Sequence, residues 1–250
     1  MSVDGRDFLK DSIRKRIDFS RTPQNRGEKP PPPQIPVIPG ARRIDLPRPG
    51  EWTSIPDLGV RTAIGRRRSR RKFTRESLSL EDLAFLLWAT QGLRPDDAGQ
   101  GNFRTVPSAG CRHAFETYVL AFRVEGLDPA VYRYLPFGHA LVETGRRNGM
   151  EELLTKAAFN QRFCGESAAA FVWTAIPARM EWRYIEAAYK VMALDAGHIC
   201  QNLYLACENI AAGTCAVAAY DQDLMDELLG IDGQDEFTVY LAPVGKIPKE

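Results

Sequence analysis

Six of the eight residues in Arg66-Arg67-Arg68-Ser69-Arg70-Arg71-Lys72-Phe73 are cationic, and one hydroxyl lies among them. Arginine forks and a serine hydroxyl suit a phosphate, because several short charge-assisted hydrogen bonds can converge on one dianion. An apolar pattern follows at once, which puts the run at the edge of a folded element. Taken alone, the run also reads as a solvated surface, a localisation-like signal or a nucleic-acid patch. The rest of the chain bears on that choice. Lys plus Arg is 33 and Asp plus Glu is 32, for a formal net charge of +1. A dedicated nucleic-acid binder is usually more basic, and no aromatic-rich single-strand platform accompanies the run. The cation excess is local, which fits a small anionic ligand better than a polymer.

Pro107-Ser108-Ala109-Gly110 is a second candidate. A proline followed by small residues lets backbone amides approach a flat ligand closely, and the same residues also make an ordinary turn before a strand. Asp195, His198, Gln201 and Asn202 recur at helical spacing. They read first as buried groups satisfying one another or a neighbouring loop, with a catalytic His198 as the second reading. Five cysteines (Cys111, Cys164, Cys200, Cys207, Cys215) form no CxxC, and their number is odd. That pattern reads as reduced, mostly buried thiols in a cytoplasmic protein. His113, His139 and His198 are far apart and give no zinc spacing. No run of about 18 apolar residues exists to span a membrane, and the polar start, residues 1–14, has no signal-peptide apolar region. There is no Ser-His-Asp or Cys-His arrangement.

The elements that must position these residues read as follows. Residues 1–50 are polar and proline-rich around Lys29-Pro30-Pro31-Pro32-Pro33, hence extended and poor in ladder bonds. This arm is either disordered or laid along the body or a partner, with Ile35, Val37, Ile38, Ile44 and Leu46 as anchors. Regular structure is expected from near Asp57, giving an arm over 1–56 and a domain over 57–250. A short helix is expected over Leu58–Arg66. A second, capped by Ser79, carries Leu83, Leu86, Leu87 and Thr90 on one face and closes at Gly92. Residues 94–104 read as a loop. Strands are expected over Glu116–Val124, with Tyr118, Leu120 and Phe122 on one face, and over Val131–Leu135, Leu141–Glu143 and Phe237–Ala242. Ala168–Ile176 suits a strand covered on both faces. Helices are expected over Gly149–Phe159, with Leu153, Leu154, Ala157 and Ala158 inward, over Ile185–Ala212, and after a cap at Asp221. Ile185–Ala212 is apolar on more than one face, as in a central core helix or a subunit interface. The pattern is α+β with one sheet.

Four blocks in this order resemble the FMN-dependent nitroreductase family, in particular its SagB-type dehydrogenase (azoline oxidase-like) branch. They are Arg67–Phe73, Pro107–Gly110, Leu194-Asp195-Ala196-Gly197-His198-Ile199-Cys200-Gln201-Asn202-Leu203-Tyr204-Leu205-Ala206, and Val244-Gly245-Lys246. The resemblance covers roughly residues 57–247. It implies a central, mainly antiparallel sheet surrounded by helices, in an intertwined homodimer with FMN at each subunit interface. Carried over by position, Arg67, Arg68, Ser69 and Arg71 hold the FMN phosphate and ribityl chain, with Lys246, beside Gly245, as a further cation. Pro107, Ser108, Ala109 and Gly110 approach the flavin ring from the partner subunit. Val217, Ala218 and Ala219 occupy another flavin-contacting loop, where the family often has a glycine in place of Ala219. A Lys-Tyr pair near the flavin of the azoline-oxidising members corresponds to Arg183-Tyr184 here. Tyr184 matches. Arg183 stays protonated and cannot be a base, though it can orient a carbonyl or carboxylate; its other reading is a solvated cation at a helix start.

The function so implied is hydride transfer between flavin N5 and an azoline or related C–N bond in a peptide-derived natural product. Such an enzyme works alone or in a biosynthetic complex, without nucleic acid or membrane. The alternatives are an NAD(P)H-dependent nitro or quinone reductase and a flavin-free scaffold subunit.

Overall fold

The computed structural model describes residues 5–94 and 102–248. Their centre is a seven-stranded sheet in the order β1-β4-β3-β2-β5-β7-β6. The strands are β1 (Arg43–Asp45), β2 (Phe115–Ala121), β3 (Ala130–Leu135), β4 (Ala140–Gly145), β5 (Ala169–Ala175), β6 (Ala212–Thr214) and β7 (Phe237–Lys246), and every pairing is antiparallel. The helices are α1 (Gly5–Leu9), α2 (Val60–Arg66), α3 (Leu80–Gln91), α4 (Met150–Ala157), α5 (Pro177–Tyr184), α6 (Ala188–Asn209) and α7 (Gln222–Leu229).

Alternation along the inner strands sorts the core into two layers. Phe171 and Trp173 of β5 join Leu83, Leu86 and Leu87 of α3 and Ile199 and Leu203 of α6. Ala170 and Val172 join Tyr118 and Leu120 of β2, Leu154 of α4 and Met225 and Leu228 of α7 on the other face. The apolar run at Ala168–Ile176 is thus a strand buried on both faces, and Tyr118, Leu120 and Phe122 share a face as their spacing predicts. Ser79 caps α3 through a reciprocal box with Asp82, each bond 3.0 Å, and Asp221 caps α7 by accepting from the Leu224 amide at 3.1 Å.

Several boundaries differ from the sequence reading. The long helix begins at Ala188, because Ile185 takes φ 48 and breaks the run after a separate helix, α5. It stops at Asn209, and Ala212–Thr214 form β6 on β7. β7 continues through Pro243 to Lys246, and the Thr214 hydroxyl donates to the Pro243 carbonyl at 2.9 Å. Leu153 faces outward, since α4 turns Leu154 and Ala157 to the core. The expected loop at 94–104 lies in part, at 95–101, outside the described residues.

The proline-rich arm lies along the body. Prolines have no N–H to trade, so their carbonyls need outside donors, and three buried arginines supply them. Arg179 Nε donates to Pro32 O at 2.8 Å and Arg104 Nη2 to Pro33 O at 3.0 Å. Arg133 donates to Ile35 O and Pro36 O at 2.9 and 3.2 Å. Buried Glu116 accepts from Arg179 Nη2 at 2.6 Å and from the Ile35 amide at 2.9 Å, and pairs with Arg133 at 3.4 Å. Ile44, in β1, and Leu46 pack inward, whereas Val37 and Ile38 are exposed.

Candidate functional site

The cation run leaves the C-terminus of α2 and crosses β6. Ser69 bridges Thr214, and the Arg70 amide donates to Thr214 O at 2.9 Å. Gly213 and Gly245 are cross-strand partners, and side chains there would meet the Arg70 Cβ at 2.6 Å and the Phe73 ring at 2.9 Å. Two facing glycines therefore make the trough in which the run lies. Ser69 Oγ is 3.0 Å from Tyr204 Oη, which also accepts from the Ala216 amide at 2.8 Å. The guanidinium of Arg67 stands over the Tyr204 ring at 5.4 Å and that of Arg71 over the Phe163 ring at 5.8 Å. Among the described residues, Arg66, Arg67, Arg71 and Lys72 have no carboxylate partner. Lys246 differs: its ammonium pairs with Asp82 at 3.0 Å and donates to Ile210 O at 2.8 Å. Val217 exchanges both backbone bonds with Leu241 at 2.8 and 3.1 Å, so its amide is engaged, while Ala218 is exposed beside it.

The Pro107–Gly110 block forms a second centre. Buried Asp195, on α6, accepts from the Ala109 amide at 3.2 Å and from Ser108. Ser108 Oγ accepts in turn from the His113 amide at 2.9 Å. Burial raises the Asp195 carboxyl above its usual range, against the lowering effect of those donors. Asn202 likewise reaches the carbonyl of Ala89 at 2.9 Å. His198 and Gln201 are exposed, so two of the four polar α6 residues satisfy neighbouring segments and two face out. Burial first, then Arg104 and Arg112, push His113 down to about 3, which keeps it neutral. Burial pushes the Cys164 and Cys200 thiols up to about 12, which makes them poor nucleophiles.

The fold brings Arg183-Tyr184 to this second centre. A Cβ on Gly110 would sit 2.6 Å from Arg183 Cδ and 2.7 Å from Tyr184 Oη. Arg183 lies in the last turn of α5, not at a helix start. Left-handed backbone clusters here, at Gly110 (φ 59), Cys111 (φ 55), His113 (φ 46) and Ile185 (φ 48). Such conformations are costly for a β-branched residue and concentrate at functional sites. Sequence reasoning missed Tyr204 as the partner of Ser69, although it stands in the same helical block, and missed Gln24 and Arg14 of the arm. Gln24 accepts from Arg183 Nη1 at 3.2 Å, and Arg14 stands 5.8 Å from the Tyr184 ring.

A model described as the nitroreductase family matches residues 64–246. A protein of Methanocaldococcus jannaschii named "Putative nitroreductase" is 30% identical over 192 residues, 77% of this chain and 93% of the relative. Among solved structures, a "putative nitroreductase" from Anabaena variabilis superposes with TM-score 0.69 at 24% identity, over 84% of this chain and 42% of that one. This chain therefore spans less than half the length of that protein. A chain of the E. coli microcin synthetase McbBCD complex, with truncated pro-MccB17 bound, superposes with TM-score 0.62 at 19% identity. That match covers 98% of this chain and 95% of the other. At such identities the likeness to solved structures bears on fold alone.

Proposed function

The chain belongs to the nitroreductase family and is an oxidoreductase; from that premise we propose that it binds FMN and acts as a SagB-type dehydrogenase. The bond attacked would be an azoline or related C–N bond of a peptide-derived product. The observation that carries the cofactor reading is that Arg67 and Arg71, beside Ser69, have no carboxylate partner among the described residues, a charge that a phosphate dianion would complete. When bound, the flavin supplies the redox chemistry through N5. The chain's own residues then position and protonate. Arg67, Arg68, Arg71 and Ser69 hold the phosphate end, and Lys246 lends its charge from its place beside Asp82. Pro107, Ser108, Ala109 and Gly110, fixed by Asp195, offer a backbone surface to the ring, and the resemblance gives Val217 and Ala218, the latter exposed, as a further flavin contact. Tyr184 gives or takes the proton that accompanies the hydride, and Arg183 orients the substrate.

Asp195 and Tyr204 are nine residues apart on one helix, about 13 Å of rise and half a turn out of phase. The phosphate cluster and the ring loop thus flank opposite sides of α6, which favours sites completed by a second copy of the chain. Leu194, 54% exposed, and Tyr189 stand on the outward side of α6 where such a copy would pack. The likeness to the microcin synthetase chain extends over the proline-rich arm, at 98% coverage, and supports a role beside partners in a biosynthetic complex. Arg183 in the place of a lysine favours a second reading, an NAD(P)H-dependent nitro or quinone reductase. Incubation with a thiazoline-bearing peptide and O₂ tests the choice. Loss of a hydrogen pair from the peptide, by mass spectrometry, is the expected result. NADPH consumption with nitroaromatics and an unchanged peptide would replace it with the second reading.

A further inference from the structure

The N-terminal arm does more than cover the sheet, because it reaches the Arg183-Tyr184 pair. The Gln24 amide donates to Trp182 O at 3.0 Å, and its side-chain oxygen accepts from Arg183 Nη1 at 3.2 Å. Trp182 Nε1 donates to Glu28 O at 2.9 Å, so the last turn of α5 is tied to the arm three times. The partner Gln24 offers Arg183 is neutral. Among the described residues, no carboxylate pairs with Arg183 or with Arg112. Two acidic groups of the same segments have other partners, and Glu186 stands exposed beyond α5. Glu181 accepts from Tyr189 Oη at 2.8 Å, and Asp11 pairs with Arg14 at 2.9 Å. Arg112, two residues after Gly110, stacks on Trp182 at 4.8 Å, and its buried Nε has no hydrogen-bond partner among the described residues.

We propose that Arg183, aimed by Gln24 of the arm and backed by Arg112, binds a carboxylate of the substrate. A guanidinium held by a neutral amide keeps its full charge and presents its remaining N–H groups as a fork that matches a carboxylate. Gly110 lets Arg183 and Tyr184 pack directly on the loop, since a side chain there would meet Arg183 Cδ at 2.6 Å and Tyr184 Oη at 2.7 Å, and this contact holds the Arg183 stem in place. Gln24 is a positioning residue for Arg183, and the arm is part of the substrate site. This inference names a substrate class for the site proposed above and rests on that reading.

The test compares 4-nitrobenzoate with 4-nitrobenzamide, which differ little in shape and by one charge. Binding is measured by calorimetry on the full-length protein, with and without added FMN, so that it is read independently of turnover. The wild type should bind the benzoate about tenfold more tightly, a difference of about 1.4 kcal/mol. Arg183→Gln should abolish the preference, Arg183→Lys should retain part of it, and Gln24→Leu should reduce it while the melting temperature stays close to wild type. Equal binding of the two probes by the wild type, or a preference that survives in Arg183→Gln, would overturn the inference. A carboxylate preference in a protein that takes up no FMN would instead uphold this subsite and refute the flavin reading.

Discussion

Tyr204 carries two hydrogen bonds with one oxygen, from the Ala216 amide and with Ser69 Oγ. Tyr204→Phe should cost about 1–3 kcal/mol of stability and release Ser69, so that FMN affinity falls by roughly tenfold, as a flavin fluorescence titration would show. The cation run was legible because its chemistry is stated by residue type alone. Its partner was not, since Ser69 and Tyr204 are separated by 135 positions. The same limit hid the role of Asp195, whose amide donor at Ala109 lies 86 residues away. His113 yields a pH prediction. Its folded-state pKa is held down to about 3 by burial, while the unfolded chain takes the proton near 6.5. Its contribution is therefore present above pH 6.5 and lost as pH falls toward 3, by at most about 1.4 kcal/mol per unit. Urea midpoints at pH 7, 6 and 5 should fall more steeply in the wild type than in His113→Gln.

At the scale of elements, the trough under the cation run depends on two glycines in register. Gly213→Ala puts a methyl into Arg70 and Gly245→Ala puts one into the Phe73 ring. Each should cost roughly 1–3 kcal/mol by overpacking and lower FMN retention, measured as flavin per chain after gel filtration. Long periodic elements were legible: α3, with its capping box, and the doubly buried β5 stand where their patterns put them. The short ones were not. β1 and β6 have three residues each, too few for alternation to register. The eight residues of α5 were hidden between a strand and a longer helical run, and their signal was Pro177 in the first turn. That omission also misplaced Arg183, which belongs to a helix end.

For the whole molecule, the arm, the sheet and α5 meet at Glu116, where one carboxylate serves Arg179, Arg133 and the Ile35 amide. Glu116→Gln leaves buried arginine charge without its counter-charge. It should cost about 3–5 kcal/mol and lower the melting temperature by roughly 10 °C. The mixed α+β class was legible from the order of the elements, and the antiparallel sheet from the resemblance that the four blocks carry. The path of the arm was not, because extended proline segments have no periodicity and their carbonyls are met by arginines scattered over three distant segments. The central claim is that Arg67, Arg71 and Ser69 hold the phosphate of FMN. A visible absorption spectrum of the purified protein, with the flavin then released and identified, tests it most directly. The account predicts one FMN per chain, reduced to a fraction in Arg67→Ala and Arg71→Ala. A colourless protein that takes up no added FMN would contradict it.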